Sequence, residues 1–144
     1  VLDDFSRECL AIEVDTNLPA ARVLRVLDRL VALCGLPAKL RMDKGPELIS
    51  VLLADWSEKN RVALEFIQPG KPTQSSYIER FNKTFREKVL DFYLFKSLTE
   101  VKEITSNWLR QYNEKRPHES LGNLTLAEFL MKKSPREVST CGWY

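Results

Sequence analysis

The chain has 144 residues, 44% of them hydrophobic and 29% charged, with a formal net charge of +2. That length suits one domain with one core, and no stretch reaches the roughly 20 apolar residues of a membrane span. Three scattered cysteines (Cys9, Cys34 and Cys141) form no CxxC pair, which argues against a disulfide framework or a zinc site and fits a reducing cytosol.

Residues 1–5 and 9–15 are short β-rich runs around the polar turn Ser6-Arg7-Glu8 and predict a hairpin, with Leu10, Ile12 and Val14 alternating against Ala11 and Glu13. The chain opens inside the first run without a methionine, which reads as a piece of something longer. Asn17 offers an N-cap and Pro19 a first-turn proline for a helix carrying Val23, Leu27, Leu30 and Cys34, stopped by Gly35. Lys39 to Asp43 predicts a strand ending in the turn "DKGPE". Pro46 then opens a second helix with Leu48, Leu52 and Trp56 along its inner stripe. "VALEFI" (62–67) is another strand, and "QPGKPTQ" (68–74) a loop.

The next helix places Ile78, Phe81, Phe85 and Val89 on a core stripe and Ser75, Glu79, Asn82, Lys83 and Arg86 on the adjoining face. Ser97 with Glu100 makes a capping box for a helix packed by Val101, Ile104, Trp108 and Tyr112, which ends before "KRPHES". Thr125 with Glu128 makes a second box for a short terminal helix. With no repeat or domain boundary, the order ββαβαβααα predicts one α/β domain over residues 1–144, a mixed sheet covered by helices.

Two carboxylates stand apart. Asp43 lies where a strand gives way to a turn, a frequent place for functional residues in α/β sheets. Glu79 lies near the start of a helix after a loop, and 35 residues separate the two. That spacing holds one helix, one strand and one loop, so both side chains can return to one end of a sheet. Phosphodiester chemistry uses such a pair, because Mg²⁺ takes oxygen ligands and keeps several waters. Lys71, Lys83 and Arg86 are candidates for holding a nucleic-acid backbone, with Lys44 a further possibility.

The stretches "DDFSRECLAIEVD", "RMDKGPE", "FIQPGKPTQSSYIERFNKTFRE", "LDFYLF" and "YNEKRPHESL" resemble, in this order, the catalytic core of the retroviral-integrase and insertion-sequence transposase group, most closely bacterial transposases of the IS3 type. The resemblance covers nearly the whole chain and implies a ribonuclease H-like fold and a DDE-type polynucleotidyl transferase. It implies Mg²⁺ or Mn²⁺, a DNA substrate (transposon ends and target), action as a homo-oligomer and a bacterial cytoplasmic location. By this resemblance Asp43 and Glu79 match the second and third members of the family's Asp-Asp-Glu metal triad; Lys71, Gln74, Asn82, Lys83 and Arg86 are the candidate nucleic-acid contacts beside them.

The match breaks at the first catalytic aspartate, which the family carries on its first, central strand in a Trp-x-x-Asp-Phe context. Asp3 and Asp4 match the family's second strand instead. The expectation is a chain with two of three carboxylates, poorly active or inactive alone. Lys44, where the family commonly has Asn, would favour ionised Asp43 yet compete with a metal.

Simpler readings stand beside these. Glu79 could be a surface ion-pair partner, Asp43 a turn former before Gly45, and the Lys83–Arg86 stripe a solvated face. Tyr77, Phe81 and Phe85 read as core rather than base-stacking platforms. His118 reads as a structural or DNA-backbone-contacting loop residue, and a substitute metal-ligand role for Asp3 is the weakest of these readings. Two other functions stand as alternatives: a remnant that binds nucleic acid or self-associates without catalysis, and a ribonuclease H-like nuclease acting on RNA.

Overall fold

The computed structural model describes residues 1–132 except 46, 47, 69, 72–75, 116, 119 and 120. In chain order the elements are α1 (Ala20–Cys34), β1 (Lys39–Met42), α2 (Val51–Asn60), β2 (Ala63–Phe66), α3 (Ser76–Phe85), α4 (Leu98–Lys115), β3 (Pro117–His118), β4 (Leu124–Thr125) and α5 (Leu126–Lys132). A π-helical turn, Arg86–Leu90, continues α3.

The expected sheet is present in pieces. β1 and β2 pair in parallel, with Met42 opposite Phe66, and β3 and β4 pair antiparallel. The predicted N-terminal hairpin keeps its turn but not its ladder. Asp3 N donates to Glu8 O at 2.8 Å and Leu10 N to Val1 O at 2.9 Å, and Leu2 pairs with Cys9 in an isolated antiparallel bridge rather than a continuous ladder. Beyond Ala11 the predicted strand is irregular, because a strand needs a partner for its amides and none of the described segments supplies a ladder there.

Two apolar clusters form the core. In the first, Val26, Leu27 and Leu30 of α1 meet Leu40 and Met42 of β1, Leu53 and Trp56 of α2, and Ala11. In the second, Leu2 and Cys9 meet Phe81 of α3 and Tyr112 of α4, with Phe85 and Trp108 packed against them. The segment from Leu2 to Ala11 therefore joins both clusters. The Phe81 ring sits 5.1 Å from Tyr112 and 5.7 Å from Trp108, both edge-on. Phe81 and Phe85 are thus core residues, as expected from their spacing.

Several boundaries differ from the sequence reading. α1 begins after Pro19 with no side-chain cap from Asn17, and its Cys34 is exposed. α2 starts at Val51, where Ser50 Oγ accepts from Leu53 N at 3.2 Å. Pro46, expected to open it, lies outside the described residues. The buried face of α2 also differs from the expected stripe: Leu53 is 2% exposed and Leu52 51%. Leu48 still packs on the first cluster, but from the turn before α2, where its amide bonds Gly45 O. α4 keeps Lys115 inside the helix, and "PH" within the expected loop pairs as β3. The second capping box forms in full, with Glu128 N donating to Thr125 Oγ1 at 3.3 Å and Thr125 N to Glu128 Oε2 at 2.8 Å; in the first, Glu100 N donates to Ser97 Oγ at 3.2 Å while Glu100 Oε2 accepts from Lys96 N. No helix among the described residues is long and apolar enough to cross a membrane.

Candidate active site

Asp43 is the first residue past β1, and β1 is locked to β2 there: Ile67 N donates to Met42 O at 2.8 Å. Because the strands run parallel, the chain leaves both at the same edge. From β1 it enters the turn holding Asp43, and from β2 it enters the loop that leads to α3. Asp43 is exposed, and its Oδ1 accepts from Gly45 N at 3.4 Å. This is the turn-forming bond that Asp favours, and it engages one of the two oxygens.

Glu79 is exposed in the first turn of α3. A carboxylate there is favoured by the partial positive charge of the helix start. Asn82 and Lys83 follow on the same exposed face, and Lys83 Nζ approaches Glu87 Oε1 at 3.9 Å, a solvent-screened pair. Arg86 is exposed at the start of the π-helical turn. π-helical turns are rare and frequently mark functional positions. Lys71 is exposed in the preceding loop, as is Lys44 beside Asp43. Gln74 lies outside the described residues.

Below this edge, β1 and β2 are tied by charge. Arg41 Nε donates to Glu65 Oε2 at 2.9 Å and Lys39 Nζ approaches the same oxygen at 3.4 Å. The Arg41 hydrogen bond, with Lys39 in support, holds the Glu65 carboxyl below its usual range. Asp3 is buried, and Phe5 N donates to its Oδ1 at 2.8 Å, so it serves its own turn. Among the described residues, no three of His, Cys, Asp and Glu gather as a metal-binding group.

One cluster escaped the sequence reading. The Arg7 guanidinium lies 3.4 Å from the centre of the Tyr77 ring, beside Arg80 and His118. The spacing of 77, 80 and 84 was a signal for one helix face, but the 69 residues between Arg7 and Tyr77 left no local trace.

The integrase core domain profile matches residues 1–72, and a second integrase core domain profile matches residues 60–125. The chain therefore belongs to the integrase core domain family. It is 42% identical over 132 residues to an uncharacterized 31.7 kDa protein of insertion element IS407 from Burkholderia multivorans, covering 92% of this chain and 48% of that one. It is 40% identical over 129 residues to an uncharacterized 39.2 kDa protein of insertion element IS476 from Xanthomonas euvesicatoria, covering 90% and 37% respectively. The chain thus spans about half, or less, of the length of these curated relatives.

Among solved structures it is similar to the HTLV-2 integrase catalytic core domain in complex with magnesium, in a trimeric form. The TM-score is 0.63 at 16% identity, over 89% of this chain and 80% of that one. It is also similar to a chain of the simian T-cell lymphotropic virus intasome in complex with the PP2A regulatory subunit B56 gamma. There the TM-score is 0.61 at 21% identity, over 85% and 43%. The fold is accordingly that of the ribonuclease H-like integrase cores.

Proposed function

We propose that this chain is the core part of a DNA transposase in which Asp43 and Glu79 hold a divalent cation, Mg²⁺ or Mn²⁺, at the shared exit edge of β1 and β2. The observation that carries the reading is the parallel pairing of those strands. It sends the turn with Asp43 and the loop leading to Glu79 off one edge. Both groups are exposed oxygen donors, which suits a cation that keeps most of its waters. The cation, when bound, would supply Lewis-acid activation of an attacking hydroxyl and charge stabilisation at the leaving oxygen. Asn82, Lys83 and Arg86, on the Glu79 face, would hold the DNA backbone, with Lys71 and Gln74 approaching from the loop.

A finer reading rests on the family resemblance, in which Asp43 and Glu79 match two members of a three-carboxylate set and no residue of this chain matches the first. The third ligand comes from outside this chain, which alone carries out little or no strand transfer. The same observation favours a second reading, a non-catalytic remnant that still binds DNA or self-associates. Phe92 and Leu94, 73% and 96% exposed, offer an apolar patch suited to another copy.

The test is strand transfer of a transposon-end duplex by the full-length parent protein carrying Glu79→Gln or Asp43→Asn. The proposal expects activity to fall by about 100-fold or more, the scale on which charge-stabilising groups act, with an unchanged circular dichroism spectrum. Normal transfer by either variant would remove that residue from the cation site. A parent that transfers nothing even unmutated would favour the remnant.

A further inference from the structure

Helix α3 has two polar faces, and Glu79 lies on only one of them. At about 100° per residue, Tyr77, Arg80 and Thr84 point away from Glu79, Asn82 and Lys83. On the Arg80 side is a cleft of about 440 Å³, lined among others by Arg7, Tyr77, Arg80, Tyr112, His118 and Asn123.

The cleft is built around cations. Arg7 is held in left-handed backbone, with φ 66°, an uncommon conformation for a side chain of this size. Its Nη1 donates to Asp4 Oδ1 at 2.7 Å while the guanidinium stacks on Tyr77. Its Nε is buried and has no acceptor among the described residues. A buried donor left unsatisfied is costly, and an incoming anion would relieve it. Arg80 is exposed and has no ion-pair partner among the described residues. The His118 ring stands edge-on to Tyr112, centres 5.0 Å apart. Neither Asp nor Glu is among the described residues that line the cleft.

We infer that this cleft binds a phosphate group of a single nucleic-acid strand, as a second contact separate from Asp43 and Glu79. Guanidiniums match phosphate oxygens in a planar, forked geometry that a point charge lacks. Aromatic rings interleaved with cations fit a strand that offers both phosphates and bases better than they fit an acidic peptide. The volume is in the range of sites that take a nucleotide-sized group.

The experiment titrates this chain, in separate NMR samples, with a short single-stranded DNA oligonucleotide, with inorganic phosphate and with a glutamate-rich peptide. The readout is the His118 ring and the Arg80 guanidinium. The oligonucleotide should shift both together, and inorganic phosphate should shift the same signals at higher concentration. Arg80→Gln should weaken that response about tenfold, the loss of one charge-assisted hydrogen bond, while shifts around Lys83 and Arg86 remain. Asp43→Asn should leave the cleft response unchanged, which separates this inference from the cation-site proposal. Shifts confined to the Lys83 face, indifference to Arg80→Gln, or cleft binding by phosphate or peptide without the oligonucleotide would each overturn it.

Discussion

Asn113 of α4 closes a two-bond ring on the backbone of Cys9: its Oδ1 accepts from Cys9 N at 2.9 Å, and its Nδ2 donates to Cys9 O at 2.9 Å. An amide side chain can satisfy both groups of one residue as a neighbouring strand would. The segment that lacks a ladder is therefore pinned by a helix instead, and this places Leu2 and Cys9 against Phe81 and Tyr112.

Asn113→Ala should accordingly destabilise the fold by about 2–3 kcal/mol, two hydrogen bonds at about 1 kcal/mol each plus the cost of stranded backbone groups. Urea denaturation followed by tryptophan fluorescence checks this. A change below about 0.5 kcal/mol, the range of ordinary surface substitutions, would mean the ring contributes little.

The same segment makes Cys9 inert. Burial pushes its thiol up to about 11, and Sγ faces the carbonyls of Val1 and Ala11 at 3.6 and 3.8 Å. Cys34 is exposed at the end of α1. In a Cys141→Ser background at pH 8, one thiol should react promptly with a disulfide reagent and the second only on unfolding, since the thiolate is the nucleophile. Mass mapping that finds Cys9 labelled first would contradict the packing.

Glu8 carries a pH signature. Burial, then the nearby charge of Asp3, holds its carboxyl above the ordinary range. With the folded pKa above the unfolded one, the charged form is disfavoured in the fold, so this contribution to stability is present at low pH and lost as pH rises through the folded value. Glu8→Gln should raise the urea midpoint at pH 7, and the gain should vanish below about pH 4, where the carboxyl is protonated in both states. An equal gain at both pH values would point to packing rather than charge.

The basic face of α3 should act on DNA through charge alone. Replacing Lys83 and Arg86 together with alanine should weaken binding to unrelated duplexes to a similar degree. It should also reduce the steepness of the salt dependence by about 1 for each lost phosphate contact. Fluorescence anisotropy at several salt concentrations measures both. An unchanged slope would assign these cations to a solvated surface.

How much of this was legible follows the range of the interactions. α1, α4 and α5 announced themselves through apolar spacing and capping boxes, because helix signals lie within four residues of one another. Asp43 at a strand end and Glu79 in a first helical turn were readable for the same reason. The clamp from Asn113 to Cys9 spans 104 residues and leaves no local mark. β3 and β4, at two residues each, are too short to show a period. The start of α2 was misplaced because Pro46 and Ser50 both suit a helix N-terminus, and Ser50 caps it. Within α2, Leu53 rather than Leu52 joins Trp56 in the core.

The central claim is that two carboxylates reached by different strands share one cation. The most direct measurement is a Mn²⁺ titration of this chain followed by NMR line broadening, with Asp43→Asn and Glu79→Gln as controls. The account predicts that signals of Asp43 and Glu79 broaden together and that each substitution weakens broadening at the other residue. Broadening centred elsewhere, or at one residue independently of the other, would contradict it.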